Sequence, residues 1–230
     1  MTIPARRHGY VQTVHPERLL PLAEQLEVTV LIAALVGEHV VAGRPIAYAW
    51  RTSLEQPPPD PAALAGPIQD AVVIGYQRTL QQDVRFGMRQ LVDIALRALS
   101  PAVNDPYTAI HAIHRQTVRL CALGPLPLGD YQITGSTDAS RVIVHAPAFA
   151  DYAELACSLI RRYGAAEPTV SAALLIMLRD AQALVRDPDR IQVLASHARL
   201  VLSDAEQLTQ QPADLLQVRD QAALLLADGT

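Results

Sequence analysis

The stretch DVRFGMRQLVDIALRALSPAVNDPYTAIHAIHR, from Asp83 to Arg115, marks the point where the chain changes from a β-rich to a helical pattern. Apolar residues recur at spacings of three and four in its first half, which predicts an amphipathic helix. We expect Ser100-Pro101 to end that helix and Asp105-Pro106 to begin the next. The residue before a proline avoids the helical conformation, aspartate caps well, and proline suits the first helical position.

Upstream of this stretch, residues 1–80 predict a small β-rich unit. Runs rich in valine and isoleucine, interrupted by Gly37 and Gly43, are typical of short strands. The phrase VGEHVVAGRPI resembles the strand-turn-strand signature of biotinyl and lipoyl half-barrels. The proline-dense stretch 56–67 (QPPPDPAALAGP) predicts an extended connector.

Downstream, residues 81–230 predict a mainly helical domain of about five helices with one inserted β-hairpin near 130–146. Thr169–Arg186 is apolar almost all round, which predicts the central helix. Gly164 is expected to end the preceding helix in the left-handed conformation, and Asp187-Pro188 to begin the following one. The predicted fold class is therefore α+β, with a small N-terminal half-barrel unit followed by a helical domain.

Composition excludes several classes of function. All 19 Lys+Arg residues are arginines, so Schiff-base, P-loop and biotinyl or lipoyl lysine chemistry cannot occur. The net charge of −4 argues against a nucleic-acid partner, which would need a basic face. Cys121 and Cys157 lie among apolar helical residues and are expected to be buried, unreactive thiols. No apolar run approaches the roughly 18–20 residues that span a bilayer, and no signal peptide is expected.

An arginine–aspartate stripe is the first candidate site. Arg89 and Asp93 are four residues apart on one helix face, so they can pair directly. Arginine also suits two-pronged contacts with a carboxylate or phosphate, which would make an anion pocket. The alternative is a buried ion pair that ties helices together.

The Asn-Asp-Pro turn is the second candidate. Asn104, Asp105 and Thr108 could present polar groups and helix N-terminal amides to a ligand, with Ser100 nearby. Capping alone also explains Asp105, since Asp187-Pro188 begins another helix in the same way. On the sequence, the ligand-binding interpretation and the capping interpretation both stay open.

Histidines and arginines complete the set of candidates. His111 and His114 share a helix face at a spacing compatible with metal ligation, yet no pattern supplies further ligands, so we expect no metal. Arg161 and Arg162 come at a helix C-terminus, where they complement the dipole. One of them could instead reach the region of Asp93 and Asp105. No cofactor is expected, because nucleophile and dinucleotide signatures are missing.

At RQLVDIALRALSPAVNDPYTA the resemblance to a known family becomes specific. Together with GYVQ, VGEHVVAGRPIA and IRRYGAAEPTV, this segment resembles the soluble part of a bacterial family of predicted membrane proteins, domain of unknown function 2254. The residues that carry the pattern are Arg89, Asp93, Ser100, Asn104, Asp105 and Thr108. The resemblance implies membrane association through helices that would precede Arg6 and are absent from this chain. Arginines directly after such helices favour the cytoplasmic side.

Two hypotheses of function follow. The first is a non-enzymatic interaction, regulatory or oligomerisation module, which forms a homo-oligomer. The second is a small-anion binder or enzyme, in which Arg89 and Arg161 or Arg162 hold the anion and Asp93, Asp105 or His111 acts as acid or base.

Overall fold

The computed structural model describes residues 1–51, 57–136 and 141–227. The described residues form helices and two β-sheets, with helix the larger share, which confirms the predicted α+β class. The chain divides into two compact units. One consists of Met1–Phe86 with Leu128–Pro147, and the other of Gly87–Pro127 with Ala148–Thr230.

Among its described residues, the first unit contains two β-sheets and two α-helices. Its described strands are β1 (Thr2–Pro4), β2 (Gly9–Val14), β3 (Val28–Ile32), β4 (His39–Val40), β5 (Pro45–Arg51), β6 (Val72–Gly75), β7 (Tyr131–Thr134) and β8 (Arg141–Val144). The five-stranded sheet has the order β1-β5-β3-β8-β7, and the three-stranded sheet has the order β4-β2-β6. Helices α1 (Leu20–Leu26) and α2 (Pro61–Ala71) share the core of this unit with both sheets. A short 3-10 turn, Pro16–Arg18, precedes α1.

The structure corrects the prediction of an extended connector in the proline-dense stretch. The sequence predicts an extended connector over 56–67, but α2 begins at Pro61. Asp60 caps this helix, because its carboxylate accepts a hydrogen bond from the Ala62 N–H at 2.9 Å, and Pro61 suits the first helical position. The alanine- and leucine-rich residues that follow favour a helix, so only the prolines before Asp60 remain outside it. Residue 56 lies outside the described part of the chain.

The predicted hairpin is present as β7 and β8, and it belongs to the first unit. Strand β8 pairs in parallel with β3, with Val142 opposite Val30 and Val144 opposite Ile32. These four side chains are buried, so the hairpin extends the core of the five-stranded sheet. The sequence predicts this hairpin as an insert in the helical domain. The structure places it differently because β8 pairs with the distant strand β3, and local alternation does not reveal that partner. The predicted hairpin tip around Asp138 lies outside the described residues.

The second unit is helical. Its α-helices, among the described residues, are α3 (Val84–Ala98, which enters this unit from Gly87), α4 (Pro106–Leu123), α5 (Phe149–Gly164), α6 (Pro168–Gln182), α7 (Pro188–Leu208) and α8 (Leu216–Ala227). A 3-10 turn at Pro212–Leu215 precedes α8. As predicted, α6 is the central helix, since it packs against α4, α5, α7 and α8 and most of its residues are buried. None of these described helices has both the length and the apolarity that crossing a bilayer requires.

The expected left-handed conformation at Gly164 is wrong. Helix α5 includes Gly164, and the residue after it, Ala165, has a φ of −64°. The glycine is needed there for close packing, because a Cβ atom would lie 2.6 Å from Cγ1 of Val170.

Candidate functional site

The Arg89–Asp93 pair forms, but it lies on the surface of α3. Arg89 Nε donates to Asp93 Oδ1 at 2.8 Å, and the two side chains are 45% and 42% exposed. The alternative of a buried pair that ties helices together is therefore wrong. An exposed pair at this spacing stabilises a helix by about 0.3–0.5 kcal/mol. Each charge is already matched by the other, so Arg89 is not a free cation.

The turn between α3 and α4 is held by hydrogen bonds to its own backbone carbonyls. Ser100 Oγ donates to the Arg97 carbonyl at 2.7 Å, and the Asn104 N–H donates to the Ser100 carbonyl at 2.9 Å. Asn104 has a φ of +48°, a left-handed conformation that asparagine tolerates better than most residues. The sequence identified Ser100 and Asn104 as unusual. Ser100 closes the end of α3, and Asn104 makes the left-handed turn into α4.

Asp105 and Thr108 cap α4. One Asp105 carboxylate oxygen accepts from the Thr108 N–H at 3.1 Å, and the other accepts from the Thr108 hydroxyl at 2.6 Å. The Thr108 hydroxyl and N–H are the main reasons why the pKa of Asp105 lies below its ordinary value, and the His111 charge adds to them. The capping reading made from the sequence therefore accounts for both residues.

Helices α3 and α4 run antiparallel. The Gln116 side-chain amide donates to the Met88 carbonyl at 2.8 Å, and the Asp105 N–H donates to the Ala98 carbonyl at 2.8 Å. Later residues of α4 thus contact earlier residues of α3. Between these two contacts, Asp93 lies near the level of His111. Gln116 is fully buried and its carbonyl oxygen has no hydrogen-bond partner among the described residues.

One side of α4 faces outward and carries the two histidines. We define the α4 outer face as Tyr107, His111, His114, Arg115, Val118 and Arg119, all of which are exposed. With 3.6 residues per turn, its central stripe lies opposite the buried side of α4. The buried residues are Ala109, Ala112, Ile113, Gln116, Leu120 and Leu123.

Among the residues that the structure describes, no third metal ligand lies beside the two histidines. Their ring centroids are 6.4 Å apart. Within the described ranges, no group of three or more histidine, cysteine, aspartate or glutamate side chains is arranged to hold a metal ion. A groove of about 420 Å³ lies along His111, His114, Arg115 and Val118, so its lining comes from one helix alone.

Arg161 has a partner that the sequence does not suggest. Its guanidinium pairs with the Asp204 carboxylate of α7, and the side chains are only 14% and 27% exposed. Arg162, the next residue, is exposed. The pair joins α5 to α7, which gives Arg161 a structural role in this unit.

A second polar contact joins the same two helices. His197 Nε2 of α7 lies 3.8 Å from Glu154 Oε2 of α5, seven residues before the Arg161–Asp204 contact on both helices. Equal spacing on both helices shows that α5 and α7 run parallel. Burial lowers the pKa of His197, while the charge of Glu154 opposes that shift. Sequence reasoning missed this pair, because no local signal links residues 43 positions apart.

The two cysteines differ in their surroundings. Cys157 is fully buried, and burial raises the pKa of its thiol to about 12. Cys121 is half-buried, and burial also raises the pKa of its thiol. Both thiols are therefore protonated at neutral pH, which makes them poor nucleophiles.

Comparison with known proteins gives two similarities. Residues 1–180 match the family described as "Predicted membrane protein (DUF2254)". An uncharacterised protein of Mycobacterium bovis and an uncharacterised protein of Mycobacterium tuberculosis are each 37% identical over 219 residues, which is 95% of this chain. The chain spans 42% of the length of these curated relatives. No solved structure matches the chain.

Proposed function

Because the chain belongs to the family described as "Predicted membrane protein (DUF2254)", we propose that it is a non-enzymatic interaction module of a longer membrane protein. Its docking face is the α4 outer face, and its partner is anionic. The relatives are more than twice as long as the chain, which supports a module that forms one part of a larger protein.

The observation that carries this proposal is that the polar groups of the family-like motif satisfy one another. Arg89 pairs with Asp93, Asp105 caps through Thr108, and Ser100 closes onto the Arg97 carbonyl. A small-anion site needs cations that are free to bind, and an acid–base site needs groups within reach of a substrate. These residues use their hydrogen bonds to terminate α3 and begin α4 instead.

The α4 outer face supports an anionic partner. Helix α4 contains Arg115, Arg119, His111 and His114, and it contains no aspartate or glutamate, although the whole chain has a net charge of −4. No ion pair among the described residues involves Arg115 or Arg119. A face with unmatched positive charge attracts negative surfaces.

Retention on immobilised heparin, used as a polyanion probe, tests the proposal. We expect the protein to bind at low ionic strength and to elute as salt rises. The double variant Arg115→Glu/Arg119→Glu should lose retention. The matched control is Arg162→Glu/Arg199→Glu, which changes net charge equally at exposed arginines of α5 and α7. Equal loss in both variants would contradict a specific docking face.

Calorimetry with inorganic phosphate tests the alternative of a small-anion site. We expect no saturable binding, and Arg89→Ala should leave the titration unchanged. Saturable phosphate binding that Arg89→Ala abolishes in a folded protein would favour the anion-binding function over the interaction module.

The cytoplasmic side is the location that fits this proposal. Anionic lipids give the cytoplasmic leaflet a negative surface, which suits the α4 outer face. Arg6 and Arg7 add positive charge near the start of the chain. Protease digestion of the longer relative in inverted and right-side-out vesicles tests the location, and cleavage only in right-side-out vesicles would contradict it.

We also propose that the chain associates with itself to form a homo-oligomer. Light scattering of the purified chain over a range of concentrations measures it directly. A constant monomer mass at high concentration would contradict the oligomer and leave the docking face untouched.

A further inference from the structure

We infer that the anionic partner of the α4 outer face is a bilayer surface that contains anionic phospholipids. This inference rests on the proposed function and names its partner. It joins three properties of α4, namely its charge, the position of its exposed apolar side chains and the shape of its surface.

Charge is the first property. Arg115 and Arg119 are exposed, and the Arg119 guanidinium donates to the Arg115 carbonyl at 2.9 Å, which directs it along the helix surface. Arginine side chains near an anionic lipid surface each strengthen binding on the order of 5-fold. Two arginines bind weakly in solution, but tethering to a membrane protein raises the effective concentration of the surface.

Exposed apolar side chains are the second property. Tyr107 is 73% exposed and Val118 is 66% exposed, on the same stripe as His111 and His114. Eleven residues at 1.5 Å each place them roughly 16 Å apart along the helix axis. Tyrosine suits the membrane interface because its ring is apolar and its hydroxyl is polar. The face therefore presents an apolar group at each end and cations beside and between them.

The shape of the surface is the third property, and it favours a bilayer over a folded protein. The groove along the outer face has all four of its lining residues on α4. A protein partner would have to match that shape with fixed side chains. A fluid headgroup layer needs no fixed complementarity, only positive charge and short apolar insertions.

Vesicle co-sedimentation tests the inference with the full chain. The vesicles contain phosphatidylcholine alone, or phosphatidylcholine and phosphatidylglycerol at roughly 7:3. We expect binding only to the anionic vesicles, weakened by salt. Arg115→Glu/Arg119→Glu should lower the binding constant by roughly 30-fold or more. The control Arg162→Glu/Arg199→Glu should retain most of it, and circular dichroism checks that both variants are folded.

A second variant tests the apolar contribution. Tyr107→Ser/Val118→Ser changes exposed side chains only and leaves the net charge unchanged, so the fold should be retained. We expect it to weaken binding to the anionic vesicles, because the apolar contacts add to the attraction by the arginines. Equal binding of this variant and the unmodified protein would overturn the membrane contact at Tyr107 and Val118.

The two proposals fail in distinguishable ways. If heparin retention depends on Arg115 and Arg119 but the protein does not bind anionic vesicles, the lipid surface is overturned as the partner. The positively charged docking face for an anionic partner would then still stand. Retention on immobilised poly-glutamate, with the same dependence, would then identify an acidic protein as the partner. Absence of binding to heparin and to vesicles would overturn both proposals.

Discussion

Arg78 and Asp83 form a buried ion pair in the first unit. Arg78 Nε donates to Asp83 Oδ2 at 2.8 Å, and the Asp83 side chain is only 2% exposed. The other Asp83 oxygen accepts from the Phe86 N–H at 2.9 Å, which caps the start of α3, and the Arg78 guanidinium lies 5.0 Å from the centre of the Phe86 ring. One carboxylate therefore closes the first turn of α3 and neutralises a partly buried arginine.

Removing this carboxylate should destabilise the first unit strongly. Asp83→Asn leaves Arg78 without its anion, and breaking a buried pair costs about 3–5 kcal/mol. Urea unfolding followed by the fluorescence of Trp50, the single tryptophan, measures the free energy of unfolding of this unit. Asp70→Asn is the control, because its pair with Arg6 is 71% and 55% exposed and should change that free energy by less than about 1 kcal/mol.

A glycine beside the pair should be equally sensitive. Gly37 has a φ of +85°, and a Cβ atom there would overlap the Asp83 carboxylate and lie 2.6 Å from the Arg78 guanidinium. We expect Gly37→Ala to cost more than the roughly 1–2 kcal/mol of the left-handed backbone alone. Gly43→Ala provides a matched control, since Gly43 has a φ of +83° and no atom of the described residues lies within 4 Å of its Cβ position. Equal losses in urea unfolding would show that the contact with Asp83 is unimportant.

His197 should make folding stability depend on pH. Burial lowers the pKa of His197 in the folded protein, so the unfolded chain takes up its proton first as the pH falls. The contribution of neutral His197 to the free energy of unfolding is therefore fully present above the unfolded-state pKa of about 6.5. It is lost as the pH falls below that value. His197→Asn should flatten this decline in chemical unfolding measured between pH 7.5 and 5. Glu154→Gln should steepen it, because the Glu154 charge raises the pKa of His197. An unchanged pH profile in His197→Asn would assign the decline to other groups.

Thiol reactivity should separate the two cysteines. A buried thiol with a pKa of about 12 reacts only when the helices open, so Cys157 should resist Ellman's reagent in the folded protein. Cys121, which is half-buried, should react first. The time course of thiol release in Cys121→Ser isolates Cys157, and fast labelling of that variant would contradict the buried environment.

Several elements could be predicted from the sequence because their causes are local. Asp105-Pro106 and Asp187-Pro188 predicted helix starts, and both aspartates accept capping hydrogen bonds, from the Thr108 and Asp189 N–H groups. The apolar pattern of α6 predicted the central helix. In each case the determining residues lie within a single element or at its end.

The candidate site was predicted less well. The sequence identified Arg89, Asp93, Ser100 and Asn104 as unusual residues, but it left open whether they bind a ligand or one another. That choice depends on exposure and on the direction of side chains, and periodicity does not report either quantity. The unmatched charge of α4 was readable in the sequence, whereas its outward orientation required the packing of the buried side.

By itself the sequence determined the α+β class, the starts of α4 and α7, the absence of lysine chemistry and the family pattern. It did so because capping, helical period and composition act over a few residues or over the whole chain. Only the tertiary structure decided that β8 pairs with β3, that Arg161 pairs with Asp204, and that His197 lies beside Glu154. Those partners are more than 40 residues apart in the chain. Their contacts form because distant elements bury a common core, which no local pattern specifies.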